Sequence, residues 1–93
     1  MNERIVEIVP EAGLHARPAS KFVEKVNEYD ATVQICRVDS DDLVSAGSMI
    51  AITSLGAECG ERVRLVADGH DAEATLDALE RVLTTPEGEL ADT

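Results

Sequence analysis

The run Gly13-Leu14-His15-Ala16-Arg17-Pro18-Ala19 gathers a histidine, an arginine and a proline at the start of a helix. Helix starts carry unpaired backbone N–H groups and partial positive charge, which makes them anion sites. Pro18 suits the first turn, where a missing N–H leaves no rung unmade and the fixed φ is already helical. From there Ala19, Phe22, Val23 and Val26 recur at the spacing of one buried face, with Lys21, Glu24 and Lys25 opposite. The helix is expected from Ala16 to Asn27 or Glu28, with His15 just outside it and Arg17 close by. Imidazole is a nucleophile whose charge changes near physiological pH. A phosphoryl group on it would face free N–H groups and a guanidinium, both able to donate charge-assisted hydrogen bonds. This points to phosphoryl transfer. On spacing alone, a solvated histidine beside a surface arginine is the commoner case.

The elements that must hold this stretch are small. The chain has 93 residues, 44% of them hydrophobic, and Phe22 and Tyr29 are its only aromatics, so one mostly aliphatic core is expected. A first strand is expected over Arg4–Val9, with Val6 and Ile8 inward, although Arg4 and Glu7 fit the alternation imperfectly. Val33 and Ile35 alternate with Thr32 and Gln34 in a second strand, Thr32–Val38. Leu43-Val44-Ser45 follows the polar turn Asp39-Ser40-Asp41-Asp42 as a short third strand. Ser48 is placed to cap a short helix from Met49 to Leu55, which Gly56 ends. Arg62–Ala67 alternates most regularly, with Val63, Leu65 and Ala67 on one side. Asp71 is the expected N-cap of a last helix carrying Ala72, Leu76, Leu79 and Leu83 on one face. His70 reads as a solvated turn residue. The order β-α-β-β-α-β-α predicts an α+β fold of two layers, helices on one sheet face. Residues 1–84 form the domain, and 85–93, with Pro86 and Gly88, read as a loose tail.

Composition excludes several functions. A net charge of −11 argues against nucleic acid, which needs a basic face. The acidic residues are spread along the chain. They fit a surface adapted to a high-salt interior, with an ordinary acidic protein as the alternative. No apolar run approaches a membrane span, and the N-terminus has no signal region, so a cytoplasmic protein without membrane insertion is expected. Cys36 and Cys59 make no CxxC or zinc spacing and are expected as reduced thiols that pack as small residues. No metal or cofactor is implied. A stand-alone enzyme is disfavoured, since nothing supplies a second catalytic group or a nucleotide-binding loop.

The stretch Gly13–Ala19 resembles the active-site signature of the HPr family, the histidine-containing phosphocarriers of the bacterial sugar phosphotransferase system. Ser48-Met49-Ile50-Ala51-Ile52-Thr53-Ser54-Leu55-Gly56 is similar to that family's regulatory-serine segment and following helix. The similarity runs from about Glu3 to Leu83. It implies an open-faced sandwich with a four-stranded antiparallel sheet and three helices on one face. It implies that a monomer accepts phosphoryl from Enzyme I on His15, as pros-phosphohistidine. The group then passes to an enzyme IIA-type domain of a sugar or dihydroxyacetone branch. Arg17 matches the arginine beside the phosphoryl. Ser48 matches a serine that a kinase phosphorylates in some relatives, although Gly47 stands where lysine often precedes it. Ser20, Lys21, Met49, Ile50, Thr53 and Ser54 match a partner-docking surface, with at least one of Met49 and Ile50 expected in the core. Glu24 adds negative charge to the exposed face of the first helix, which suits partners that present basic surfaces. The alternatives are a regulatory protein acting through its phosphorylation state, and a module that binds an anion non-covalently at the same helix start.

Overall fold

The computed structural model describes residues 2–86. Four strands, β1 (Asn2–Glu7), β2 (Thr32–Arg37), β3 (Val44–Ser45) and β4 (Arg62–Asp68), alternate with three helices, α1 (Ala16–Glu28), α2 (Met49–Leu55) and α3 (Ala72–Thr84). The sheet is antiparallel, in the order β1-β4-β2-β3. β4 is central, as its regular alternation requires: Val63, Leu65 and Ala67 are fully buried beneath the helices. α3 packs on β1, β4 and α1, and α2 packs on α1 and beside β3. Phe22 of α1 is the largest fully buried side chain, within an otherwise aliphatic cluster that includes Ile8, Leu14, Ile35, Ile52, Leu76, Leu79 and Leu83. No helix among the described residues is long and apolar enough to cross a membrane. The expected tail lies outside the described residues beyond Pro86.

Several expectations change. The first strand begins at Asn2 rather than Arg4 and ends at Glu7, because its register sets Asn2 against Ala67 and Glu7 against Arg62. Arg4 breaks the alternation for a physical reason. It lies on the helix side, where its guanidinium meets Asp77 at 2.7 Å, Glu80 at 3.0 Å and Glu73 at 3.3 Å, all on α3. The hydrogen bond to Asp77 is the main influence holding its pKa above the ordinary arginine value. Ile8 is buried beyond the strand end, where its N–H donates to the Glu61 carbonyl at 2.9 Å.

β2 stops one residue early, Leu43 falls outside β3, and β4 extends through Asp68. Asp71 occupies the N-cap position of α3 but makes no side-chain cap. Its carboxylate instead accepts the Asp30 N–H at 3.1 Å, while the Asp71 N–H donates to the Asp30 carbonyl, so two turns are tied together. Cys36 is buried on the sheet face away from the helices, beneath Arg64. Cys59 is exposed, contrary to a packing role, and its Sγ–H donates to the Val9 carbonyl at 3.3 Å. His70 is exposed, as a turn residue should be.

Candidate functional site

His15 is the N-cap residue of α1, with an extended backbone (φ −136°, ψ 167°) and a side chain that makes no capping hydrogen bond. Its imidazole is therefore not used to hold the helix. Its carbonyl accepts the first helical rung, from Ala19 N at 3.4 Å, so the amides of Ala16 and Arg17 precede that rung. No acidic side chain occupies the first turn to compete for the positive helix end. His15 is half-buried, Arg17 is exposed beside it, and Pro18 is buried in the first turn.

The approach to His15 is built from backbone. Gly13 N donates to the Pro10 carbonyl at 2.9 Å, closing a turn, and Leu14 N donates to the Ala57 carbonyl at 3.0 Å. Gly13 has φ +75°. A Cβ there would stand 2.8 Å from Glu58 Cα and 2.9 Å from the Ala57 carbonyl oxygen, so only glycine lets the two loops touch. Leu14 is fully buried and anchors the loop from within. On the other side of His15 the chain is strained: Ala16 has φ +51°, the one non-glycine residue at positive φ among those described. An L-residue in this region costs about 1–2 kcal/mol and persists where its surroundings over-determine it. Gly13 within the motif could have signalled a close approach; an alanine gives no signal for a left-handed backbone.

α2 runs antiparallel to α1. At one end, a Cβ on Gly47 would lie 3.3 Å from Asn27 Oδ1 and 3.6 Å from Val26 Cγ1; at the other, Ala57 meets Leu14. Ser48 therefore sits at the far end of α1, about 16 Å along the axis from His15 at 1.5 Å per residue. The structure does not bring it to His15. Ser48 does cap α2, its Oγ accepting the Ala51 N–H at 3.3 Å, and Gly56 closes that helix at φ +69°. Met49 (40% exposed) and Ile50 (79% exposed) are both on the surface, so neither belongs to the core. A seven-residue helix lying flat on the domain buries one stripe, and Ile52 fills it. Met49, Ile50, Thr53 and Ser54 of α2 are all exposed, as is Ser20 of α1, with Lys21 half-buried beside it. α2 carries no charged residue, in contrast to the acidic chain around it.

Comparison with known proteins agrees with this arrangement. The family described as PTS HPr component phosphorylation site matches residues 2–85. The chain is 66% identical over 85 residues to the phosphocarrier protein HPr of Haloferax volcanii, covering 91% of this chain and 96% of that protein. It is 40% identical over 93 residues to the phosphocarrier protein HPr of Streptomyces coelicolor, covering 100% and 99% respectively. Among solved structures, HPr-C-His from Thermoanaerobacter tengcongensis superposes with a TM-score of 0.83 at 35% identity, covering 89% of this chain and 91% of that one. A histidine freed from capping at a helix start, the open-faced sandwich that presents it and near full-length similarity converge: the chain belongs to the HPr family of phosphocarriers of the phosphotransferase system.

Proposed function

We propose that His15 is the phosphoacceptor, taking its phosphoryl group from Enzyme I and passing it to an enzyme IIA-type acceptor. In the first step a lone pair on a ring nitrogen, the pros position, attacks phosphorus. The donor's bond to phosphorus breaks, and its electron pair leaves with the donor. The second step runs the same way, with His15 as the leaving group. The Arg17 guanidinium and the amides at the start of α1 bind the phosphoryl oxygens, favouring the group both at rest and in transfer. The chain supplies one nucleophile and an anion site, and the partners complete the transition state. The observation that carries this reading is His15 itself, an N-cap residue whose side chain does no capping.

Docking is assigned to Ser20, Lys21, Met49, Ile50, Thr53 and Ser54. An exposed methionine on an uncharged helix suits a surface shared by successive partners. Ser48 is read first as a helix cap, with regulation by phosphorylation as a further role. The setting is a cytoplasmic monomer.

The test is intact-mass analysis after incubation with phosphoenolpyruvate, magnesium and Enzyme I of the same organism, with His15→Ala alongside. One acid-labile phosphoryl adduct on the wild type alone is expected. No adduct, with Enzyme I shown to phosphorylate itself, overturns the assignment in favour of a non-covalent regulatory module.

A further inference from the structure

Resting on that role for His15, we propose that Glu61, held by Arg37, is a positioning residue for phosphoryl transfer. Neither touches the phosphoryl position. They act through the loop between α2 and β4. Arg37, the last residue of β2, donates from Nη1 to the Gly56 carbonyl at 3.3 Å and pairs through Nη2 with Glu61 Oε2. It thereby ties the two ends of the 56–61 loop to one guanidinium. The other Glu61 oxygen, Oε1, accepts the Glu58 N–H at 2.8 Å, and the Glu61 N–H donates to the Glu58 carbonyl at 3.0 Å. The carboxylate thus braces the loop from inside as well as from β2. Both side chains are about one-third exposed, 33% for Arg37 and 35% for Glu61, so the pair is partly shielded from water.

This loop is the wall against which the His15 segment is built. Its Ala57 carbonyl accepts Leu14 N–H at 3.0 Å, and Gly13 lies so close to residues 57–59 that a Cβ would not fit. Its Gly60 N–H donates to the Ile8 carbonyl at 2.8 Å, and its Glu61 carbonyl accepts the Ile8 N–H at 2.9 Å, fixing the end of β1 that leads into the same segment. His15 stands between two anchors: Leu14 on Ala57 before it, and the Ala19-to-His15 rung after it. The left-handed Ala16 lies between the same anchors. A strained residue holds only while both anchors hold. If the loop loosens, residues 14–16 relax toward ordinary φ and the imidazole turns away from the helix start. Small misplacement of a reacting group is enough to cost up to about a hundredfold in rate.

The test measures kcat and KM for phosphoryl transfer from Enzyme I with wild type, Glu61→Gln, and Glu61→Gln combined with Ala16→Gly, each checked for cooperative unfolding. Glu61→Gln keeps an acceptor for the Glu58 amide and removes the charge pair. It should lower kcat about tenfold or more and leave KM unchanged, because the docking surface is elsewhere. Adding Ala16→Gly should restore most of that loss, since glycine takes positive φ without strain and so needs less of the loop's support. Arg37→Gln, measured in parallel, should slow the same step even if Glu61→Gln does not fold. Wild-type kcat in the folded single variants overturns the inference. So does a slow Glu61→Gln that Ala16→Gly fails to restore, because the loss would then be general loosening. A wild type that takes up no phosphoryl group refutes the role of His15, and this inference with it; a competent wild type matched by the variants refutes the inference alone.

Discussion

Replacing Gly13 by alanine separates two penalties that the structure places at one residue. The first is backbone strain. At φ +75° an L-residue loses about 1–2 kcal/mol, offset by roughly 0.4–1 kcal/mol because alanine restricts the unfolded chain. The second is collision. The new Cβ would sit 2.8 Å from Glu58 Cα, 2.9 Å from the Ala57 carbonyl oxygen and 3.2 Å from Cys59 N, all backbone atoms. They cannot swing aside as a side chain can, so the two loops must part. Forcing atoms into a packed site costs about 1–3 kcal/mol. The net loss is roughly 1–5 kcal/mol. Gly60 supplies the control: its φ is +90°, yet nothing stands within 4 Å of its Cβ position. Gly60→Ala should lose only the strain, about 1 kcal/mol. The two variants differ by the collision of about 1–3 kcal/mol, so at about 4–8 °C per kcal/mol for a domain of this size Gly13→Ala should melt about 4–24 °C below Gly60→Ala in a thermal scan with a circular-dichroism readout. Equal losses in the two variants would refute the claim that Gly13 exists for the contact with residues 57–59.

Ser48→Ala removes the acceptor of the Ala51 N–H and should destabilise by about 1 kcal/mol. Ser48→Asp, itself a good cap, should stay near wild type, and chemical denaturation with both variants checks this. Arg17→Glu should slow phosphoryl transfer in both directions, measured by rapid quench with labelled phosphoenolpyruvate, because a carboxylate would face the anion; unchanged rates would remove Arg17 from the mechanism. Raising salt from about 0.1 M to 1 M shortens the screening length from about 10 Å to about 3 Å. The Arg4 pairs at 2.7–3.3 Å lie within or near that length, whereas the mutual repulsion behind a net charge of −11 acts over longer distances. Stability should therefore rise with salt, and full stability at low salt would sink the reading of a surface adapted to high salt.

What could be read before the structure was whatever depends on neighbours in sequence. The 3-and-4 spacing of Ala19, Phe22 and Val26 states which side of α1 is buried, and all three are in the core. Ser48 and Gly56 bracket a helix by cap chemistry that needs no tertiary partner. The alternation of β4 survives because a central strand is covered by helices along its length. What could not be read depends on partners far along the chain. Asn2 joins β1 because Ala67 is there to pair with it. Arg4 is tolerated on the helix side because α3 offers three carboxylates, and the Asp71 carboxylate accepts the Asp30 N–H rather than capping its own helix. Met49 and Ile50 look like core residues by type, yet their exposure follows from how α2 lies, which one helix cannot disclose. At the site, the motif gave the position of His15 and not the strained Ala16 that follows it.

The division of labour at His15 bears on how a carrier serves two partners in turn. Fixing a histidine through its own ring nitrogens would hold it firmly but occupy the atoms that must react. Here the hold is on the backbone: Leu14 on Ala57 at 3.0 Å, the His15 carbonyl on Ala19, and Gly13 against residues 57–59. The ring makes no cap. The proposed nucleophile is thus placed without its ring being used for capping, which would leave each proposed partner free to bring its own groups to it. The adjoining α2 carries no charged residue of its own, so it adds nothing to the repulsion of an acidic protein where partners are proposed to land. A side chain that contacts His15 directly would trade this openness for rigidity. A side-chain pair that acts through the 56–61 loop, as proposed for Arg37 and Glu61, does not.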